Sequence, residues 1–409
     1  MPVNRRQYLK GAGATITGVS GAGCNIIGGG GGSELTVAMI IPQSGAAGSL
    51  GELMENGANI FLDHLQDNDD LLPDTEMETI IKNGESDTEA SLSAARELVQ
   101  QEDVDVITGP ALSSVARTVS NFTNNQGVPF LPGGAVDPSI TSGENCGEYN
   151  FRAYPHTGMS SNASALWAAQ NLGEECYMIT ADYSAGQAVA EVYQKILSEN
   201  GIEIVENNLL PLGNEQWGGV IDDIKSTDPD WVLFNMSAGG VPTFLTAAAN
   251  RGLEYPLTGN AFLLAFLGVL SQDQFESLGD IYWDQVLYHA DFDTEKNDQF
   301  VSDYEAEHGN PPGQSAGIIY GNLDIVAKTF NQAGEISADA FLETASGATY
   351  ESVFGTVNFR ECDHQGAPNV RAGRYTGINS ETSRGELELT GDVDPSQFRR
   401  PCSEVPCSF

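Results

Sequence analysis

The string G-Q-S-A-G at residues 313–317 has the G-x-S-x-G spacing of a hydrolase serine nucleophile, so it is the first place to look for covalent chemistry. A nucleophile elbow needs a buried strand directly before its serine. Here Asn310-Pro311-Pro312 precedes it and a helical pattern follows, so the string reads as a helix start. The five histidines (His64, His156, His289, His308 and His364) are scattered, without the pairing of H-E-x-x-H. The sequence has no phosphate loop, and no G-x-G-x-x-G follows a strand pattern. Cys402 and Cys407 form a C-x4-C with no second pair, and Cys362-Asp363-His364 points adjacent side chains apart, which argues against a metal site. The sequence therefore predicts no catalytic residue, no cofactor and no metal, and a secreted enzyme is the weakest function class.

A different chemistry stands at the N-terminus. Arg5 and Arg6, a short apolar stretch, small residues at 21–23 and then Cys24 match a twin-arginine export signal ending in a lipid-attachment cysteine. The stretch is too short and too rich in glycine and threonine to span a bilayer, which takes ~20 apolar residues. Residues 1–23 are read as the signal, with a disordered basic N-terminus as the alternative. Residues 24–33 are read as a glycine-rich leash behind a lipidated Cys24. Five cysteines then remain. Cys176, in the strand-like E-C-Y-M-I-T, is expected free and buried; Cys402–Cys407 and Cys146–Cys362 are the expected pairs, although spacing does not fix connectivity. Sequons at Asn121 and Asn162 are acceptable glycan acceptors.

The chain carries 18 Lys and Arg against 57 Asp and Glu, a net charge of −39. Leaving out the three basic residues of the signal gives 15 against 57, or −42. Such a chain repels itself at ordinary ionic strength, and molar salt shortens the Debye length to ~3 Å. The composition is that of a halophilic, haloarchaeal type of protein. It offers no basic stripe for phosphates, so nucleic acid is excluded as a partner. With 40% hydrophobic residues and many periodic segments, the chain is globular rather than disordered.

Short apolar runs alternate with helical patterns. Strands are predicted at 36–42, 76–82, 104–110 and 128–134, with helices over 50–65, from Ser86 or Asp87, and from Ser113. The alternation repeats: Y-N-F-R-A-Y-P (149–155), 175–182, 202–206, 230–237 and 256–260, with helices ending through Trp167, spanning 185–200, starting at Trp217 and ending at Asn250. Strand Q-V-L-Y-H (285–289) and helices 294–308 and 314–333 read as a return to the first half. The fold class is α/β, two doubly wound parallel-sheet lobes joined by a multi-stranded hinge. The expected division is 34–152 plus 286–355 for lobe 1, 153–285 plus 356–380 for lobe 2, and 381–409 as a C-terminal tail. The longest apolar run, 261–270, is too short for a membrane span. Open α/β sheets bind ligands at the carboxyl ends of their strands, and two facing lobes make a cleft that closes by hinge bending.

The order of the strand-end loops resembles the type I solute-binding proteins of the branched-chain amino acid (Leu/Ile/Val) transport family over about residues 35–375. I-I-P-Q-S-G with L-G-E-L-M-E-N-G-A, V-D-V-I-T-G-P-A-L-S-S, G-V-P-F-L-P-G-G-A-V-D-P-S-I-T, Y-N-F-R-A-Y-P, A-D-Y-S-A-G-Q-A and G-T-V-N-F-R follow in that family's order. The resemblance implies a periplasmic-binding-protein, Venus-flytrap fold and the solute receptor of an ABC importer. Its implied partners are a small-molecule solute and the permease and ATPase subunits, with the receptor a monomer held at the extracellular face of the cytoplasmic membrane. A ligand-sensing module of the same fold is the competing class; no kinase, transmembrane or DNA-binding segment accompanies the lobes.

The resemblance also carries over residues. Ser113 and Ser114 match the loop that caps a ligand carboxylate or amide, and they also suit a plain helix start. Gly134, Ala135 and Val136 match the next loop, with valine where the family often has a threonine hydroxyl. Asp182 and Tyr183 match the second-lobe loop that lays an aromatic over the ligand. Ser44 with Gly45, and Ser237, flank the same cleft. Asn260 stands near where amino-acid binders place an acid for the α-ammonium group, and a neutral amide cannot offset that charge. Amides, carboxylates and aromatic acids therefore stand beside amino acids as candidate ligands, and R-E-C-D-H-Q (360–365) resembles a block in non-amino-acid members.

Overall fold

Leu35 and Val37 through Ile41 are almost wholly buried, so β1 (Ser33–Ile41) is covered on both faces, as a central strand of a parallel sheet must be. The computed structural model describes residues 33–409 except 69, 74, 143–145, 212, 237, 260, 261, 263, 381, 383, 406 and 408; the export signal, Cys24, Ser237 and Asn260 lie outside the described residues. Lobe 1 continues through α1 (Ser49–Gln66), β2 (Thr75–Asn83), α2 (Thr88–Gln101), β3 (Val106–Thr108), α3 (Ser113–Gln126) and β4 (Phe130–Leu131). Its strands pair in parallel in the order β2-β1-β3-β4. Asp87 caps α2 by accepting the Ala90 N–H at 2.9 Å, as expected for that position.

Lobe 2 follows with α4 (Thr157–Asn171), β5 (Glu175–Ala181), α5 (Ser184–Glu199), β6 (Glu203–Leu210), α6 (Gly218–Thr227), β7 (Trp231–Asn235), α7 (Val241–Asn250), β8 (Leu257–Gly259), α8 (Leu264–Leu267), α9 (Gln272–Glu276) and β9 (Ile281–Val286). The chain then builds α10 (Glu295–His308), α11 (Gln314–Ala333), α12 (Ala338–Ala345) and the hairpin β10 (Thr349–Ser352)–β11 (Gly355–Asn358) on lobe 1. It ends with β12 (Val370–Asn379), β13 (Arg384–Val393) and α13 (Pro395–Phe398) on lobe 2. The lobe 2 sheet runs β13-β12-β9-β8-β7-β5-β6. Helix α11 is buried along most of its length and lies against α1, where a Cβ on Gly57 would stand 2.3 Å from the Ala316 carbonyl oxygen. His64 ties the same seam to Tyr320 at 2.7 Å and Asp303 at 2.8 Å. Among the described residues no helix is long and apolar enough to cross a membrane, and the apolar run at 261–270 yields only the short α8.

Four expectations differ from the structure. Y-N-F-R-A-Y-P forms no strand; it is a crossover with single bridges from Asn150 to Phe130 and Arg152 to Gln365, because Arg152 spends its hydrogen bonds on the hinge. Strand β9 ends at Val286 and pairs in parallel with β8, so the Q-V-L-Y-H segment starts in the lobe 2 sheet rather than in lobe 1. Residues 384–393 are an antiparallel partner of β12, not a tail; their acidic outer face hides an alternation that buries Gly385, Leu387 and Val393. The disulfides are Cys146–Cys407 and Cys362–Cys402, in place of the expected pairs, because the segment after α13 runs back across the hinge. Cys176 is free and buried. Asn162 donates to the Phe398 carbonyl at 3.3 Å and Ser164 is fully buried, so that sequon is not presented to a glycan transferase.

Asp284 on β9 is an ionisable group deep in lobe 2. Its Oδ2 accepts from Tyr193 and Thr258, each at 3.1 Å, and Oδ1 has no partner. Burial raises its pKa from 3.8 to about 6 against the opposing hydrogen bonds. Between those values the native state holds a proton that the unfolded state has released, so this contribution to stability is lost as pH rises through the window. We predict that Asp284→Asn removes up to ~3 kcal/mol of the fall in unfolding free energy between about pH 4 and pH 7. Denaturant melts of both proteins across that range check this, and parallel pH profiles would contradict it.

Candidate functional site

Parallel pairing sends the loops after β1, β2, β3 and β4 out of one edge of lobe 1, and those after β5, β7, β8 and β9 out of one edge of lobe 2. Helices return antiparallel to the strands, so their N-termini open at these same edges. The decisive detail is how those helices are capped. Asp87, His156, Thr294 and Ser337 cap α2, α4, α10 and α12 with side-chain acceptors. The helices α1, α6 and α7 start with no side-chain cap, and so do α3 and α5, one in each lobe, from Leu112 and Tyr183. In α3 the Ala116 N–H reaches the Leu112 carbonyl at 2.8 Å, while the N–H groups of Ser113 and Ser114 find no acceptor among the described residues. Ser113 is half-buried and Ser114 exposed. A helix start with free donors suits a carboxylate, amide or other acceptor-rich ligand. Helix α11 likewise opens without a side-chain cap, with Gly313 at its N-cap; no strand precedes the G-Q-S-A-G string.

Close backbone approach shapes the lobe 1 rim. Gly109 has φ +108°, and a Cβ there would lie 2.8 Å from the Ile40 carbonyl oxygen; one on Gly133 would lie 2.6 Å from the Gly109 oxygen. Ser44 is exposed, with its hydroxyl accepting from Asn83 at 2.9 Å and its carbonyl from Ser86 at 2.7 Å. Glu85 and Ser86 both have positive φ, 54° and 56°, and the Asn83 amide oxygen holds this turn by accepting the Gln43 and Glu85 N–H groups. Strained backbone of this kind concentrates at ligand-facing loops. Sequence reasoning missed Asn83 and gave Ser86 only a capping role; the N-G-E-S turn was the available signal. Gly134 donates its N–H to Tyr154 Oη at 2.7 Å. Val136 is half-buried, its carbonyl accepting from the Thr157 N–H at 2.9 Å and hydroxyl at 3.1 Å.

Ala135 differs from its expected role. It is fully buried in the lobe 1 core, and its carbonyl accepts from Tyr154 Oη at 3.1 Å and Arg152 at 3.3 Å. It mounts the hinge and does not line the cleft. In lobe 2, Tyr183 is 40% exposed, one of few large apolar side chains so placed. Asp182 is exposed and accepts from Gln187 Nε2 at 2.7 Å. Asn235 fixes the first turn of α5 through the Gly186 carbonyl at 2.9 Å. A cavity of about 380 Å³ where the chain returns to lobe 1 joins Trp283, Tyr288 and His289 with Gln314 and Leu387, and includes none of the ligand-contact candidates. The buried Trp283 indole N–H has no acceptor.

The hinge holds the strongest electrostatic feature. Arg152 is fully buried, donating to Gln365 Oε1 at 2.8 Å, Thr141 Oγ1 at 2.5 Å and the Asp137 carbonyl at 2.8 Å. Gln365 Nε2 reaches the Tyr154 carbonyl at 2.8 Å. Burial lowers the Arg152 pKa to about 10, with the nearby Tyr154, Asp137 and Asp363 opposing the shift, so it remains charged at neutral pH. Burial also raises the Tyr154 phenol, which stays a neutral donor. The blocks R-A-Y and D-H-Q, far apart in sequence, are thus the two halves of one hinge network.

Two lobes whose strand-end loops carry open helix starts, joined by crossing strands, define a two-lobed solute-binding fold. The periplasmic binding protein family model matches residues 34–381, and the chain belongs to that family. It is 20% identical over 333 residues to the leucine-, isoleucine-, valine-, threonine- and alanine-binding protein of Pseudomonas aeruginosa, covering 80% of this chain and 86% of that one. It has the fold of an ABC-type branched-chain amino acid transporter protein from Rhodopseudomonas palustris, with TM-score 0.79, 18% identity, and 90% and 99% of the two chains covered. A solute-binding protein from R. palustris in complex with 3,4-dihydroxybenzoic acid gives TM-score 0.71 and 21% identity, over 88% and 97% of the chains.

Replacing Arg152 with methionine keeps bulk but strands the Gln365, Thr141 and Asp137 acceptors. We predict a loss of about 2–4 kcal/mol in unfolding free energy. Urea unfolding measures it, and a loss below about 0.5 kcal/mol, the usual range of surface changes, would contradict the assigned network.

Proposed function

We propose that this protein is the extracytoplasmic receptor of an ABC importer, capturing a small polar solute between its lobes and handing it to the permease. The observation that carries this reading is that both lobes open helix starts without side-chain caps at their strand ends, among them α3 with Ser113 and Ser114 in lobe 1 and α5 with Tyr183 in lobe 2. Free N–H donors on one side and an exposed aromatic on the other suit a molecule with a carboxylate or amide at one end and a flat or aliphatic body. The names of the relatives support the same class: leucine, isoleucine, valine, threonine and alanine for the Pseudomonas protein, an aromatic acid for one Rhodopseudomonas structure.

The ligand-contact set is Ser44, Ser113, Ser114, Gly134, Val136, Asp182 and Tyr183, with Ser237 and Asn260 as further contacts. Branched-chain amino acids, amides and carboxylates are the solute classes. Lipidation at Cys24 after twin-arginine export would tether a monomer at the outer face of the cytoplasmic membrane, within reach of its permease. A high-salt exterior accounts for the acidic surface, and capture without covalent chemistry accounts for a cleft built from backbone donors and hydroxyls.

A thermal-shift screen in molar KCl against amino acids, amides, urea, and aliphatic and aromatic acids tests the reading, since a ligand that binds the folded state raises its midpoint. At least one class is expected to raise it. Tyr183→Ala is then expected to weaken that ligand at least tenfold, about 1.4 kcal/mol. No response from any class would overturn the proposal.

A further inference from the structure

Three of the fifteen basic residues outside the export signal meet in one place. A cavity of about 540 Å³ lies between the N-terminus of α4, the outer face of α5 and the segment after α13. Lys195, Arg399 and Arg400 line it, with His156 and Gly158; Glu404 is its single acid. Among the described residues seven of these fifteen side chains pair with a carboxylate, none of them at this cavity. Among the described residues Lys195 and Arg400 form no ion pair.

Two donors beside the cavity have no acceptor among the described residues. Arg399 places its two terminal nitrogens on the hinge, with Nη2 2.7 Å from the Asn358 carbonyl and 2.6 Å from that of Gln365, while its buried Nε–H has no acceptor. His156 is 7% exposed. Its Nδ1 accepts the Met159 N–H at 3.2 Å as the cap of α4, which leaves the ring proton on Nε2. That Nε2–H has no acceptor among the described residues. Burial and the nearby arginines hold His156 neutral, so it is a donor and not a further charge. The positive end of α4 lies against the same cavity through Gly158. Neighbouring cations repel one another, and an anion with several acceptor oxygens relieves that repulsion and takes up the free ring donor.

We propose that this cavity is an oxyanion-binding site, separate from the solute cleft, that takes a phosphate group through Lys195, Arg400 and His156 Nε2–H, with the Arg399 guanidinium adding positive charge to the wall. Phosphate supplies several acceptor oxygens and the negative charge the site lacks, and bonds of this charge-assisted kind are the stronger class. Its wall is held by the Cys362–Cys402 and Cys146–Cys407 disulfides, so the donors are positioned before the anion arrives. The phosphate can be free in solution or carried on a lipid headgroup.

Calorimetric titration of the full chain with inorganic phosphate in molar KCl tests the site, alongside flotation with phosphatidylglycerol vesicles. One saturable site is expected. K195Q/R400Q changes two exposed, unpaired side chains and is expected to weaken it at least tenfold. R96Q/K225Q, which removes equal charge from α2 and α6, is expected to leave binding within twofold. Vesicle binding alone, lost in K195Q/R400Q, also supports the site and assigns its source to a headgroup. Binding to neither probe, or binding that K195Q/R400Q leaves unchanged, overturns the proposal.

Discussion

The fold depends on one buried cation. Arg152 sits at the first crossing between the lobes, fully buried in a chain whose surface is overwhelmingly acidic. Removing a guanidinium from water costs several kcal/mol unless its donors are met, and here a glutamine, a threonine and backbone carbonyls meet them. Among the described residues no carboxylate pairs with it. The arrangement keeps the charge while fixing direction: Nε is aimed at Gln365 of another crossing, and the two terminal nitrogens at oxygens of the loop after β4. Gln365, from the third crossing, closes the ring by donating to the Tyr154 carbonyl. Tyr154 then reaches Gly134, so the hinge geometry bears directly on a loop of the candidate cleft.

Much of this was legible in the sequence, and the reason is periodicity. The alternation of buried runs and amphipathic stretches marks the strands of both lobes, and α1, α3, α5, α10 and α11 start within a residue of where their patterns begin. What periodicity cannot show is a contact between distant segments. Arg152 with Gln365, and each cysteine with its partner, are set by how the C-terminal segment recrosses the hinge. β13 was hidden for another reason: Glu386 and Glu388 on its outer face make the segment read as a solvated charge run. Within the candidate site, the exposed roles of Ser114 and Tyr183 were readable from helix starts. The burial of Ala135 was not, because a small residue after two glycines looks the same in a loop and in a core.

The large excess of carboxylates makes the placement of the few cations informative. Lys296 and Lys328 bracket the buried Asp324 at 2.6 and 2.8 Å, and Arg360 pairs with Asp363 beside the hinge. Arg374 bridges Asp280 and Glu388 on the lobe 2 sheet. These are structural uses. Lys195 and Arg400 are among the cations without an ion pair, and both line the cavity beside the start of α4.

The central claim is that the two lobes form a solute trap that closes about the hinge anchored by Arg152. Small-angle X-ray scattering of the protein in molar salt, without and with a saturating ligand identified by thermal shift, tests it most directly. Closure predicts a smaller radius of gyration in the liganded protein and loss of the largest interatomic distances. An unchanged scattering profile at saturation would contradict a closing cleft.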